Sequence, residues 1–241
     1  MNRHLQSLLL LSIAFSFSSF ALVSAKERIY YVGIIERDWD YSPNKMNEIT
    51  GKNITADSPE AQYVIQGPGR IGSLYKKAVY REYTDDSYTT LSDRPEWMGF
   101  LGPIIYGEVG DTIKIHAKNM ASRDFSMHPH GVFYLKDSEG AVYEDNTRGK
   151  DKADERIAPG GSHTYIWEAN ERAGPAEGGP NCVPWIYHSH IDAPYGTNTG
   201  AIGFMLICKT GQQQKSSTPS DPGPVFGLYP IPLPQFFTKC F

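Results

Sequence analysis

The sequence predicts an all-β domain, a two-sheet sandwich or a barrel, on three observations. Short runs rich in Tyr, Ile and Val recur at strand length. No sustained helical period separates them. Aromatics make up 12% of the chain, and 23 Gly and 17 Pro supply frequent turns. The predicted strands follow in order. Arg28–Glu36 is apolar and aromatic, and Tyr75–Tyr83 places Val79, Tyr80 and Tyr83 among basic residues. The stretch between them is rich in Pro, Gly and Asn. Thr112–Asn119 alternates, with Ile113, Ile115 and Ala117 on one face and Lys114, His116 and Lys118 on the other. Gly131–Leu135, Ser162–Glu168, Trp185–His190 and Gly200–Ile207 complete the set, and no internal repeat is present.

The chain has 241 residues and a formal charge of −4, a balance that argues against a nucleic-acid partner. Residues 1–25 combine a basic start, a short apolar run around Leu8–Leu11 and small residues at Ser24-Ala25, the pattern of a secretory signal peptide cleaved after Ala25. No later run reaches about 18 consecutive apolar residues, so no transmembrane segment is expected. The chain therefore reads as secreted and extracellular. A compact domain is expected over residues 26–209. Residues 210–241, with Gln, Ser and Thr followed by repeated Pro, read as a Pro-rich flexible tail.

Secretion permits disulfides, and Cys182 and Cys208 lie in the body of the chain, 26 positions apart. Cys240 is left over, as a free thiol or an intermolecular link. Asn53-Ile54-Thr55 is a glycosylation acceptor, at Asn53.

Four of the seven histidines form two pairs, His128-Pro129-His130 and His188-Ser189-His190. Residues i and i+2 of a strand share a face, so each pair presents two imidazoles side by side. Adjacent strands carrying the pairs would converge four nitrogen donors, a set that suits Cu, Zn, Fe or Ni. His4 falls in the export segment. His116 reads as part of a solvated strand face, and His163 as a local hydrogen-bonding residue.

Longer motifs carry a resemblance. Trp97-Met98-Gly99-Phe100-Leu101-Gly102-Pro103-Ile104 and Glu108-Val109-Gly110-Asp111 resemble the first domain of the ceruloplasmin/hephaestin group of multicopper ferroxidases. So do Arg70-Ile71-Gly72, Leu74-Tyr75-Lys76-Lys77, His128 to Tyr134 and Tyr187 to Pro194. The resemblance covers about Lys26 to Lys209 and implies a single cupredoxin-like (plastocyanin-like) Greek-key β-sandwich. It implies that His128 is a type-2 copper ligand and that His130, His188 and His190 serve the type-3 pair of a trinuclear cluster. It further implies a Cys182–Cys208 disulfide and a calcium site at Lys136, Asp151, Asp154 and Glu155, where oxygen donors suit a hard cation.

The implied function is the copper-binding domain of a secreted ferroxidase, which oxidises Fe(II) to Fe(III) and reduces dioxygen to water in iron homeostasis. This domain would supply half of the trinuclear site. Further cupredoxin domains would complete it and bring the type-1 copper, whose Cys ligand beside His is missing from these motifs. A non-catalytic, secreted copper-binding or interaction module is the alternative. One departure stands out. Where the family continues after Ala193-Pro194 with Lys-Asp and then Gly-Leu-Ile-Gly-Pro, this chain has Tyr195-Gly196 and Gly200-Ala201-Ile202-Gly203-Phe204. Altered packing of the last strand beneath the histidines is therefore expected.

Overall fold

A computed structural model describes residues 25–212. The export segment up to residue 24, the tail beyond residue 212 and Cys240 lie outside the described residues. The strands are β1 (Glu27–Asp40), β2 (Met46–Asn47), β3 (Lys52–Asn53), β4 (Leu74–Tyr83), β5 (Ile105–Glu108), β6 (Thr112–Asn119), β7 (His128–Pro129), β8 (Phe133–Tyr134), β9 (Ser162–Glu168), β10 (Cys182–His188) and β11 (Ile202–Cys208). Two short helices accompany them, α1 (Ala61–Val64) and α2 (Ala193–Thr199).

One sheet has the order β4-β1-β6-β9-β8, the other β5-β11-β10-β7, and β2 with β3 makes a small hairpin. The sheets are mixed: β1 runs parallel to β6 and β5 parallel to β11, while the other pairings are antiparallel. Alternation puts one face of each sheet inward. Val32, Ile34, Tyr80, Ile113, Ile115, Tyr165 and Trp167 from the first sheet meet Ile105, Tyr187, Met205 and Ile207 from the second in a single core. Each such buried side chain stabilises the fold by about 1.5–3 kcal/mol relative to exposure. Of the sandwich and the barrel that the strand pattern allowed, the two-sheet all-β sandwich is the observed fold.

Cys182 and Cys208 stand opposite each other at one end of the β10–β11 pair and are joined by a disulfide. His188 lies at the other end of the same pair, opposite Ile202.

Several elements differ from expectation. The strand predicted at Trp185–His190 begins and ends earlier, because Cys182 and Val183 already pair with β11 and the chain leaves the sheet after His188. The strand predicted at Gly131–Leu135 shrinks to Phe133–Tyr134. Strand β5 was not anticipated, nor was any helix between the last two strands. α2 forms there because the Asp192 side chain accepts from the Tyr195 amide, Pro194 opens the first turn and Gly200 closes it at φ 109°. The departure after Pro194 leaves β11 intact. Gly203 lies under the Tyr187 ring, where a Cβ would come within 2.3 Å of ring atoms, and Ala201 is fully buried.

Candidate metal centre

Strand pairing assembles the histidines. β7 and β10 run antiparallel with His188 opposite His128. The His130 amide donates to the Ile186 carbonyl at 2.9 Å. His190 bridges to Ala141, and its amide donates to Ser126 Oγ at 3.1 Å. Ring centroids lie 4.9 Å apart for His128 and His190, 5.2 Å for His130 and His188, 5.3 Å for His128 and His130, and 5.5 Å for His188 and His190. All four predicted imidazoles are thus in one cluster at one end of the sandwich. His128 and His188 are buried, while His130 is exposed, so the cluster opens to solvent on one side.

Hydrogen bonds select the tautomers. His128 Nδ1 lies 2.6 Å from the Glu139 carbonyl and His188 Nδ1 lies 3.0 Å from the Ser189 carbonyl. A carbonyl only accepts, so both Nδ1 atoms carry the proton and both Nε2 atoms keep a lone pair. Burial pushes the His128 pKa down to about 4, with the neighbouring imidazoles adding to the effect and the Glu139 carbonyl opposing it. Burial also lowers His130 and His188. Neutral imidazoles are the form that binds metal.

His130 Nε2 and His188 Nε2 are 3.1 Å apart. Two donors each about 2.0 Å from a shared ion would subtend roughly 100° at that separation, an ordinary ligand angle. Among the described residues no set of three or more His, Cys, Asp or Glu is arranged around one point to hold an ion. The geometry instead offers a close pair with two further imidazoles beside it. This donor set fits copper, which takes imidazole nitrogens readily.

The groups that hold the four imidazoles in place carry no signal in the His-X-His spacing. Glu139 acts through its main chain, so its side-chain identity is silent about the contact with His128. Gly140 follows, and its amide donates to Asp154 Oδ2 at 2.7 Å. Tyr134 packs 6.0 Å from the His128 ring and Tyr143 5.9 Å from that of His190. The Ser126 amide donates to Ser189 Oγ at 3.2 Å, tying the two His segments together.

The acidic loop is only partly assembled. Asp154 and Glu155 are buried, and Asp154 Oδ1 has no hydrogen-bond partner. Burial raises the Asp154 pKa. Lys136 Nζ reaches Glu155 at 3.7 Å but pairs more closely with Glu139 and Asp145, each at 2.9 Å. Both Glu155 oxygens accept from Lys152 Nζ, at 3.1 and 3.2 Å. Asp151 makes its ion pair with Lys150 at 3.9 Å. An unpartnered buried carboxyl oxygen suits a hard cation, and the Lys136 and Lys152 ammonium groups supply the positive charge in this arrangement.

The remaining sequence expectations are placed as follows. Asn53 is exposed on β3. His116 is not on a bare face: it stacks on Tyr31 at 5.2 Å, and its Nδ1 lies 2.9 Å from Thr164 Oγ1. His163 does not bond locally. Its Nε2 donates to the Asp137 carbonyl, 26 residues away, at 2.9 Å. No helix among the described residues is long and apolar enough to cross a membrane.

The chain is similar to multicopper oxidases. Residues 98–212 match the family model described as multicopper oxidase. The chain is 53% identical to mouse Ferroxidase HEPHL1 over 190 residues, covering 79% of this chain and 16% of that protein. It is 49% identical to mouse hephaestin, covering 80% of this chain and 17% of that protein. For human ceruloplasmin the identity is 47%, with 79% of this chain and 18% of that protein covered. The chain thus spans roughly one-sixth of the length of these relatives.

Proposed function

We propose, from the premise that the chain carries a cupredoxin-like domain of the ceruloplasmin/hephaestin family of multicopper oxidases, that its four clustered histidines are half of a trinuclear copper site. The observation that carries the reading is the His130–His188 pair, whose Nε2 atoms stand 3.1 Å apart with His128 and His190 beside them. His130 and His188 would hold one type-3 copper, His190 would serve the other and His128 would hold the type-2 copper. Copper held there supplies one-electron steps linking a reducing substrate to dioxygen. The chain's own contribution is positional. The Glu139 and Ser189 carbonyls fix the protonated Nδ1 atoms of His128 and His188, so that both Nε2 lone pairs face the site.

Further cupredoxin domains supply the other ligands and the electron entry. The complete assembly is then a ferroxidase, in which ferrous iron becomes ferric while dioxygen and solvent protons become water. Lys136, through its carbonyl, together with Asp151, Asp154 and Glu155, takes calcium. The setting is extracellular, with a glycan on Asn53.

Copper titration of the full chain, followed by paramagnetic resonance, tests this. Wild type is expected to bind copper, and His130→Ala or His188→Ala to weaken binding more than about tenfold. His116→Ala should bind as wild type does. Ferrous turnover is expected only after a partner domain is added. Equal copper binding by wild type and a His130→Ala/His188→Ala chain would overturn the assignment.

A further inference from the structure

A second donor-rich region lies away from the histidines, on the outer face of the β1–β4 pair. In this antiparallel register Arg37 stands opposite Lys77, Trp39 opposite Tyr75 and Arg81 opposite Gly33, so these side chains share one face. The segment after residue 90 crosses the same face. Phe100 packs edge-on against Trp39 at 5.4 Å, and Arg94 donates to the Gly99 carbonyl at 2.8 Å and the Leu101 carbonyl at 3.0 Å.

The cations here are not balanced by acids. Among the described residues, none of the ion pairs uses Arg37, Arg81 or Arg94. Arg81, half-buried, has no hydrogen-bond acceptor there either. Arg37 lies over the Trp39 ring at 5.8 Å, and the buried Trp39 Nε1 has no acceptor. Lys77 is accounted for separately: its ammonium lies 4.7 Å from the Tyr41 ring centroid and donates to the Asn198 carbonyl at 2.7 Å. In a chain of net charge −4, three neighbouring guanidiniums without a carboxylate are costly to assemble.

We infer that Arg37, Arg81 and Arg94 form a binding site for a small tetrahedral oxyanion, phosphate or sulfate. Planar guanidinium forks match the oxygens of such anions, often two at a time. The carbonyls of Gly99 and Leu101 occupy one edge of the Arg94 fork and leave its remaining N–H groups for a ligand. Mutual repulsion supports the grouping. Burial first, then the charges of Arg81 and Arg37, push the Arg94 pKa down to about 10, and Arg81 is lowered by burial and by Arg37. Arg37 is exposed and Arg81 half-buried, so the site is open to a free ion yet recessed from a flat surface such as a membrane.

The test is calorimetric melting of the full chain, with metals removed by chelation, in sodium phosphate or sulfate against sodium chloride at equal ionic strength. At an anion concentration about tenfold above its dissociation constant, the midpoint should rise by roughly 3–6 °C. Arg81→Leu should melt higher than wild type in chloride and lose the response to phosphate, and Arg37→Leu, at an exposed position, should weaken that response. Arg148→Leu keeps the charge change but lies on another loop, so it should respond as wild type does and report the general salting effect. A rise of the wild-type midpoint from chloride to phosphate or sulfate no larger than that of Arg37→Leu would overturn the site. So would a full response in Arg81→Leu.

Discussion

Replacing Gly140 by Ala gives the sharpest test of how the imidazole cluster is held. Gly140 has φ +68°, and a Cβ there would lie 2.1 Å from the Met127 carbonyl oxygen and 3.0 Å from the His128 amide nitrogen. Both neighbours are main-chain atoms, so no side-chain rotation relieves the clash. The Glu139–Gly140 segment must move away from Met127–His128. That movement lengthens the Glu139 carbonyl contact with His128 Nδ1 and the Gly140 amide contact with Asp154 Oδ2. Left-handed backbone costs alanine about 1–2 kcal/mol. Losing the bond to a buried carboxyl costs about 1.5–3 kcal/mol, and the neutral bond to His128 about 1 kcal/mol. The expected loss is therefore about 3.5–6 kcal/mol, a large share of the roughly 5–15 kcal/mol that holds a domain folded. Gly149→Ala is the control, because Gly149 has a similar φ of +62° with nothing within 4 Å of its Cβ. It should lose only the backbone cost of about 1–2 kcal/mol. Urea unfolding followed by Trp fluorescence measures both, and copper titration of the folded variant reports His128. If Gly140→Ala loses no more stability than Gly149→Ala, the contact between the two segments is not what positions the ligand.

Two other outcomes are expected. Cys182→Ala/Cys208→Ala should lower stability by about 3 kcal/mol, read from denaturant midpoints of the oxidised and double-variant chains, while β-sheet circular dichroism is retained. Burial raises the Glu82 carboxyl above its ordinary pKa, so the folded chain holds that proton more tightly than the unfolded one. The associated stability is present below about pH 4.3 and is lost as pH rises through the folded value. Glu82→Gln should therefore be more stable than wild type at pH 7 and lose part of the pH dependence above pH 4. Equal stability of Glu82→Gln and wild type at pH 7 would count against a strained carboxylate at this position.

The strands most legible in the sequence are those whose two faces differ most. Thr112–Asn119 has the predicted bounds because apolar and polar residues alternate as inner and outer faces do, and Ser162–Glu168 has them because Tyr165 and Trp167 turn inward from a run bounded by polar residues. Ile105–Glu108 escaped because its Gly107 reads as a turn, whereas the glycine is needed where Ile113 and Ile207 crowd the strand: a Cβ would lie 2.9 Å from Ile113. α2 escaped because its helical state depends on the Asp192 cap and the Gly200 exit rather than on an apolar period. Of the metal centre, the four imidazoles were readable from spacing and from the family motifs. Their supports were not, since carbonyls of Glu139 and Ser189 are common to every residue type. Local spacing was equally silent about His163, whose partner is reached only when the 136–138 turn folds over β9.

The disulfide and His188 occupy opposite ends of one antiparallel strand pair, with Cys182 facing Cys208 and His188 facing Ile202. A pairing shifted by one residue would turn every side chain of β10 to the other face and would also separate the two sulfurs. The covalent bond closes only on the alignment that sets His188 opposite Ile202. Oxidation thus acts as a proofreading step on strand register: a chain that has closed its bridge already has β10 seated on β11 with His188 turned to its own face.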